Sequence, residues 1–287
     1  MQVVPVLPFG YCCGVLSAIS LALKTKKEHP ESRVYLLGML VHNEDAVAML
    51  SRQGLLLLDE RQAPLAEQLR GVEPGSIVIF SAHGHPQEWE QIAAKGGLSV
   101  IDASCRFVKE NLFYGKKAAA QGPIIYIGVA GHLEAEAFLA NVKEAAFYDI
   151  GSGRFDKEKV KGEKPLLIAQ TTLSYLEVEE AYREIAKSFP AAKIGKERCH
   201  STSLRQDAIR RLPSDVEQVI VLGSKRSNNS LKLQEIAAKQ GFDARLVLDL
   251  EELKKIDLSG VSKVALASGA STAQETFRAC REYLESL

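Results

Sequence analysis

The 287-residue sequence has no surplus charge, since 36 Lys and Arg balance 36 Asp and Glu. It therefore offers no general attraction for nucleic acid or an anionic membrane surface, although a local cationic pocket remains allowed. No apolar run approaches the ~18 residues that a membrane-spanning helix needs. The opening segment, residues 1–6, has neither a basic leader nor a long apolar stretch and reads as a strand rather than a signal peptide, so the expected location is the cytosol. There is no Walker loop and no Gly-x-Gly-x-x-Gly turn after a strand, which removes the usual support for nucleotide or dinucleotide binding. Low-complexity segments are absent, and aromatic residues make up only 7% of the chain.

Hydrophobic residues make up 46%, enough for a sizeable core. The length suits about two domains of ~150 residues, or a few smaller ones sharing a core. Strand-length apolar runs recur throughout, each ending in small or polar residues and followed by a helical pattern. Three lead to a cysteine: residues 3–7 to Cys12, 98–101 to Cys105 and 191–194 to Arg198-Cys199. Helical patterns follow, for example over 17–25 and 205–212. Six further runs precede Val41-His42-Asn43, Ser81-Ala82-His83-Gly84, Gly131-His132, Gln170-Thr171-Thr172, Gly223-Ser224-Lys225 and Ser268-Gly269-Ala270-Ser271-Thr272. Alternating strands and helices imply parallel sheets with helices on both faces, and such sheets bind ligands beyond the carboxyl ends of their strands.

Cys12, Cys105 and Cys199 are 93 and 94 residues apart, a near-constant period that divides the chain into thirds. The expected architecture is therefore α/β: three small parallel-sheet domains in a pseudo-threefold arrangement around one centre. The expected boundaries are 14–103, 104–197 and 198–287, with strand 1–13 added to the last. Residues 151–164, rich in charge and glycine, are the expected surface excursion.

In a cytosolic chain, five cysteines point to metal binding, catalysis or burial rather than disulfides. One cysteine per third, at matching strand ends, suggests a shared metal centre. Three soft thiolates suit an iron–sulfur cluster with one open iron, and equally a zinc site with a water in the fourth position. Cys280, inside a helical pattern over 275–284, reads as a small buried hydrophobe, and so does Cys13, which lies off the period. His42, His83 and His132 stand at equivalent places just past strands. With the donors of residues 223–230 and with Ser271 and Thr272 they suit an anion such as diphosphate, although Ser and Asn there also serve as ordinary helix caps. Glu134 follows His132 and is placed to act as a proton donor, while Glu136 reads as an exposed helical residue.

Nine motifs in chain order carry a family resemblance. They are Gly10-Tyr11-Cys12-Cys13-Gly14-Val15, Val41-His42-Asn43, Phe80-Ser81-Ala82-His83-Gly84, Asp102-Ala103-Ser104-Cys105, Gly131-His132-Leu133-Glu134, Gln170-Thr171-Thr172-Leu173-Ser174, Cys199 with Arg205-Gln206, Gly223 through Ser230, and Gly269-Ala270-Ser271. Together they resemble the 4-hydroxy-3-methylbut-2-enyl diphosphate reductase family over essentially the whole chain. The resemblance implies a trefoil of α/β domains around a 4Fe–4S cluster held by Cys12, Cys105 and Cys199. It also implies reductive removal of an allylic hydroxyl in the methylerythritol phosphate route to isoprenoids, giving isopentenyl and dimethylallyl diphosphates. His42, His83, His132, Thr171, Thr172, Ser227, Asn228, Asn229 and Ser271 would bind substrate. Glu134, Thr171 and His132 would take part in catalysis, and a ferredoxin or flavodoxin would supply electrons. The sequence departs from the family pattern at Cys13 (usually Ala), Leu16-Ser17 (Asp-Arg), Arg106 (Pro), Asn228 (Ser) and Ala273 (Pro). The departures leave a divergent member that reduces or binds another small substrate as an alternative, and the three cysteines also allow a cluster-bearing sensor or a zinc hydrolase.

Overall fold

The computed structural model describes residues 1–195 and 199–287. Arg198, which precedes Cys199 and opens the expected third domain, lies outside the described residues. In chain order the strands are β1 (Gln2–Pro5), β2 (Val34–Leu37), β3 (Leu56–Leu58), β4 (Ile77–Phe80), β5 (Ser99–Asp102), β6 (Ile124–Gly128), β7 (Ala146–Asp149), β8 (Leu166–Ala169), β9 (Lys193–Ile194), β10 (Gln218–Leu222), β11 (Asp243–Val247) and β12 (Lys263–Ser268). The α-helices are α1 (Cys13–Glu28), α2 (Glu44–Arg52), α3 (Leu65–Arg70), α4 (Gln87–Lys95), α5 (Arg106–Ala119), α6 (Leu133–Asn141), α7 (Tyr175–Ala186), α8 (Ser201–Arg210), α9 (Asn228–Lys239), α10 (Leu250–Leu253) and α11 (Gln274–Ser286).

Two compact units result. The first comprises Met1–Leu16, Val41–Gln53 and His200–Leu287, and the second Ser17–Leu40 and Gly54–Cys199. The first holds one four-stranded sheet in the order β1-β12-β10-β11. The second holds two, β3-β2-β4-β5 and β7-β6-β8-β9. Every strand pairing within these sheets is parallel. The three sheets share one plan. Reading the first sheet as β11-β10-β12-β1, the second strand of each sheet lies between the two strands that follow it in the chain. In the first unit the fourth place is taken by β1, from the far end of the chain.

The parallel pairing explains the apolar runs. β4, β6 and β10 are buried along their whole length, because helices cover both faces. Alternation then sends neighbouring residues into different cores. Val219 and Val221 pack with Ile209 and Leu233, whereas Ile220 and Leu222 pack with Phe277 and Leu284. Likewise Ile125 and Ile127 join Leu167 and Ile185, whereas Ile124 and Tyr126 join Phe138 and Val142. Cys280, fully buried in the Phe277–Leu284 core, is the small hydrophobe expected, and its thiol is pushed up to about 12, chiefly by burial.

Three strands, β3, β7 and β11, lie outside the apolar runs picked out from the sequence. β3 and β11 are half-exposed and flank the apolar strands, and β7 is only four residues long. Helix α1 starts at Cys13, ahead of the expected 17–25, because the Cys12 carbonyl already accepts the Leu16 N–H at 2.9 Å. The expected excursion 151–164 is mostly exposed and holds a short 3₁₀ turn, Lys157–Lys159. No described helix is long and apolar enough to cross a membrane.

Packing between α5 and α6 depends on Gly115. A Cβ there would lie 2.5 Å from the Phe138 ring. Gly→Ala ordinarily gains about 1 kcal/mol in a helix interior, but overpacking a core costs about 1–3 kcal/mol. Gly115→Ala is therefore expected to lower the thermal midpoint, with partial recovery in Gly115→Ala/Phe138→Leu. A rise in the single variant would contradict this packing.

Candidate active site

The reactive side chains lie where strands end and helices begin. In the first unit, Cys12 immediately precedes α1 and is tied down on several sides. Its N–H donates to the Ala270 carbonyl at 2.9 Å, the nearby Gly10 N–H donates to Ser268 Oγ at 3.1 Å, and the buried Arg205 guanidinium donates to the Gly10 carbonyl at 2.6 Å. The His42 carbonyl accepts the Ser271 hydroxyl at 3.0 Å, and Asn43 caps α2 through the Ala46 N–H. Ser227 caps α9, accepting the Ser230 N–H at 3.3 Å, and Asn228 opens that helix. Asn229 is only 5% exposed, yet neither atom of its amide head has a hydrogen-bond partner. A twelve-residue helix opening with a free buried amide suits an anion, because the first backbone N–H groups and the helix dipole face it.

In the second unit, Cys105 is the N-cap of α5, and its N–H donates to the Ala82 carbonyl at 2.9 Å, beside His83. The His83 and His132 rings meet edge to face, with centroids 5.9 Å apart. His132 caps α6 by accepting the Glu134 N–H on Nδ1 at 3.1 Å, which leaves the proton of a neutral ring on Nε2. Cys199, two residues before α8, lines a cavity of about 230 Å³ with Asn111, Tyr114, Gln170, Thr171 and Tyr175. Thr172 Oγ1 accepts from the buried Gln170 amide at 2.6 Å, so its hydroxyl braces the loop after β8.

Glu134 is the most unusual group. Its side chain is buried, and Thr171 grips both carboxylate oxygens: the N–H donates to Oε1 and the hydroxyl to Oε2, each at 2.8 Å. Burial pushes the carboxyl up to about 7, although the Thr171 bonds and the Tyr126 hydroxyl pull the other way. Glu136 is exposed, as expected.

Cys12, Cys105 and Cys199 are part-buried cysteines outside any disulfide, at or just before helix starts. Among the described residues no three His, Cys, Asp or Glu are gathered as they would be around a bound ion. Cys13 corrects the expectation of burial: it is the first residue of α1 and is exposed. Arg106 occupies the first position of α5, a place that Pro also tolerates, and its guanidinium lies 4.5 Å over the Phe107 ring. Sequence reasoning passed over Tyr126, which reads only as one more strand aromatic, and the Asn111 amide, which donates to the Ala169 carbonyl at 2.8 Å.

A family model described as LytB protein matches residues 3–285. The chain belongs to the LytB family. Proteins named 4-hydroxy-3-methylbut-2-enyl diphosphate reductase are similar to it. That of Lysinibacillus sphaericus is 34% identical, covering 95% of this chain and 84% of its own, and that of Bacillus pumilus is 33% identical, covering 100% and 91%. The solved structure of the E-1-hydroxy-2-methyl-but-2-enyl-4-diphosphate reductase from Plasmodium falciparum superposes with a TM-score of 0.86 at 26% identity, covering 99% of this chain and 87% of that one. A solved (E)-4-hydroxy-3-methyl-but-2-enyl diphosphate reductase, titled as the terminal enzyme of the non-mevalonate pathway, gives 0.67 at 25% identity over the whole of both chains. The three parallel α/β sheets are thus the fold of this LytB family.

The raised Glu134 carboxyl makes a stability prediction. An acid that titrates at about 7 when folded and near 4.5 when unfolded adds stability that is complete below 4.5 and lost as pH rises through 7. The loss is about 3 kcal/mol. Glu134→Gln cannot titrate. Its thermal midpoint should therefore gain on the parent's between pH 4.5 and 7 and hold that gain above. A pH-independent difference would contradict the assignment.

Proposed function

We propose that this chain removes the allylic hydroxyl of 4-hydroxy-3-methylbut-2-enyl diphosphate. Two electrons and two protons enter, the carbon–oxygen bond breaks, and water leaves with isopentenyl or dimethylallyl diphosphate. The observation that carries the reading is a buried carboxyl, Glu134, gripped twice by Thr171 and titrating near neutrality, in a chain of the LytB family. An acid poised there holds a proton at working pH and can give it to a departing hydroxyl.

The donor set fits an iron–sulfur group, because Cys12, Cys105 and Cys199 are soft, part-buried and free of disulfides. A 4Fe–4S cluster on those three cysteines would supply the electrons and the Lewis acidity that a poor leaving group needs. The chain's own residues do the rest. Thr171 fixes the Glu134 carboxyl and relays or orients its proton. His132 positions the Glu134 backbone and, with His83, presents ring nitrogens to the substrate. Asn229, Asn228, Ser227, Ser271, His42 and Thr172 complete the polar set assigned to the diphosphate, with the α9 N-terminus supplying backbone donors. In this reading the electrons come from a ferredoxin or flavodoxin, and the protein works in the cytosol. Sheet membership supports three α/β domains at 14–103, 104–197 and 198–287, with strand 1–13 joined to the last through β1.

The test is anaerobic turnover of hydroxymethylbutenyl diphosphate with dithionite and a viologen mediator. Turnover is expected, with kcat lowered about 100-fold or more in Glu134→Gln while substrate still binds. Normal turnover by that variant would remove Glu134 from the proton-donor role. Asn229→Ala should raise KM about ten-fold with little change in kcat, the loss of one charge-assisted bond to the anion. An unchanged KM would place the diphosphate elsewhere.

A further inference from the structure

Tyr126 has no role in this scheme. It stands in the middle of β6 with no exposed surface, its ring stacked on Phe138 at 4.0 Å and 17°. The chain makes room for it: a Cβ at Gly128 would sit 3.0 Å from the ring. A phenylalanine would fill the same space without burying a hydroxyl, and a buried phenol normally finds a partner. The Tyr126 hydroxyl has none at standard hydrogen-bond geometry, and the group it interacts with is the Glu134 carboxylate. Burial first, and then the adjacent Glu134, hold the phenol's proton on its oxygen. It therefore faces the carboxylate as a donor.

We infer that Tyr126 is a positioning residue for Glu134: its hydroxyl is the third donor to that carboxylate, beside the N–H and O–H of Thr171. The inference rests on Glu134 being the proton donor of the proposed reaction. The groups facing Glu134 are Thr171 from the loop after β8, Tyr126 from β6, and His132, whose ring accepts the Glu134 N–H. A third donor favours the ionised form, so Tyr126 eases release of the proton and stabilises the carboxylate left behind. It also restrains the carboxyl in the orientation that Thr171 sets.

The experiment is an infrared pH titration of the protonated carboxyl stretch in anaerobically prepared, cluster-containing full-length protein, the band being assigned by its loss in Glu134→Gln. Tyr126→Phe should raise the Glu134 midpoint, lowering its acid dissociation constant about three- to ten-fold. Since turnover needs the protonated acid, the alkaline limb of kcat should move up in pH by the same amount, with KM unchanged. Replacing Tyr126 with 3,5-difluorotyrosine, a stronger donor of nearly the same shape, should move the midpoint down; this arm decides the matter if Tyr126→Phe folds poorly. A midpoint unmoved in both variants would overturn the inference, whatever happened to their thermal stability. The infrared band reports the carboxyl whether or not substrate is consumed, so failure here is distinguishable from failure of the reductase reading.

Discussion

The structure depends on one constraint: parallel strands must all hand over to the next helix at the same edge of the sheet. A parallel sheet needs cover on both faces, which forces the alternation of apolar strand and amphipathic helix. It also collects every strand-to-helix junction, with its free backbone N–H groups and positive dipole end, along one edge. Cys12, His42, His83, Cys105, His132, Thr171, Ser227 and Ser271 all stand at or near such junctions. Anions and ionised carboxylates are favoured at such helix starts.

Against that general preference for anions, Glu134 is an exception. It lies in the first turn of α6, where the dipole favours charge, yet burial overrides it and holds the carboxyl near neutrality. Thr171 satisfies both oxygens, so the group is neither free to swing nor able to reach water. The result is a carboxyl that is fixed in place and titrates near neutrality. Asn229 shows the complementary case, a buried amide head with no hydrogen-bond partner.

Much of this was legible in the sequence, for identifiable reasons. The central strands announce themselves because burial on both faces leaves only apolar residues, as in 77–80 and 219–222. The 93- and 94-residue cysteine spacing points to three matching units, and the sheets share their strand order. The flanking strand β11 escaped because its half-exposed residues mix polar and apolar types, and β3, although all leucine, is only three residues long. Cys13 was misjudged because residue type says little about which side of a helix start a thiol faces. Tyr126 was invisible because its significance lies in a contact eight residues along the chain, across the turn from β6 into α6, and an aromatic in a strand is otherwise unremarkable.

The most direct test is to purify the protein anaerobically and measure iron, acid-labile sulfide and zinc per chain alongside the visible spectrum. About four iron and four sulfide per chain, the content of a cubane cluster, is the predicted result, falling sharply in Cys12→Ser. Zinc without sulfide, or no metal after reconstitution, would contradict the account and leave the likeness to the reductases as one of fold.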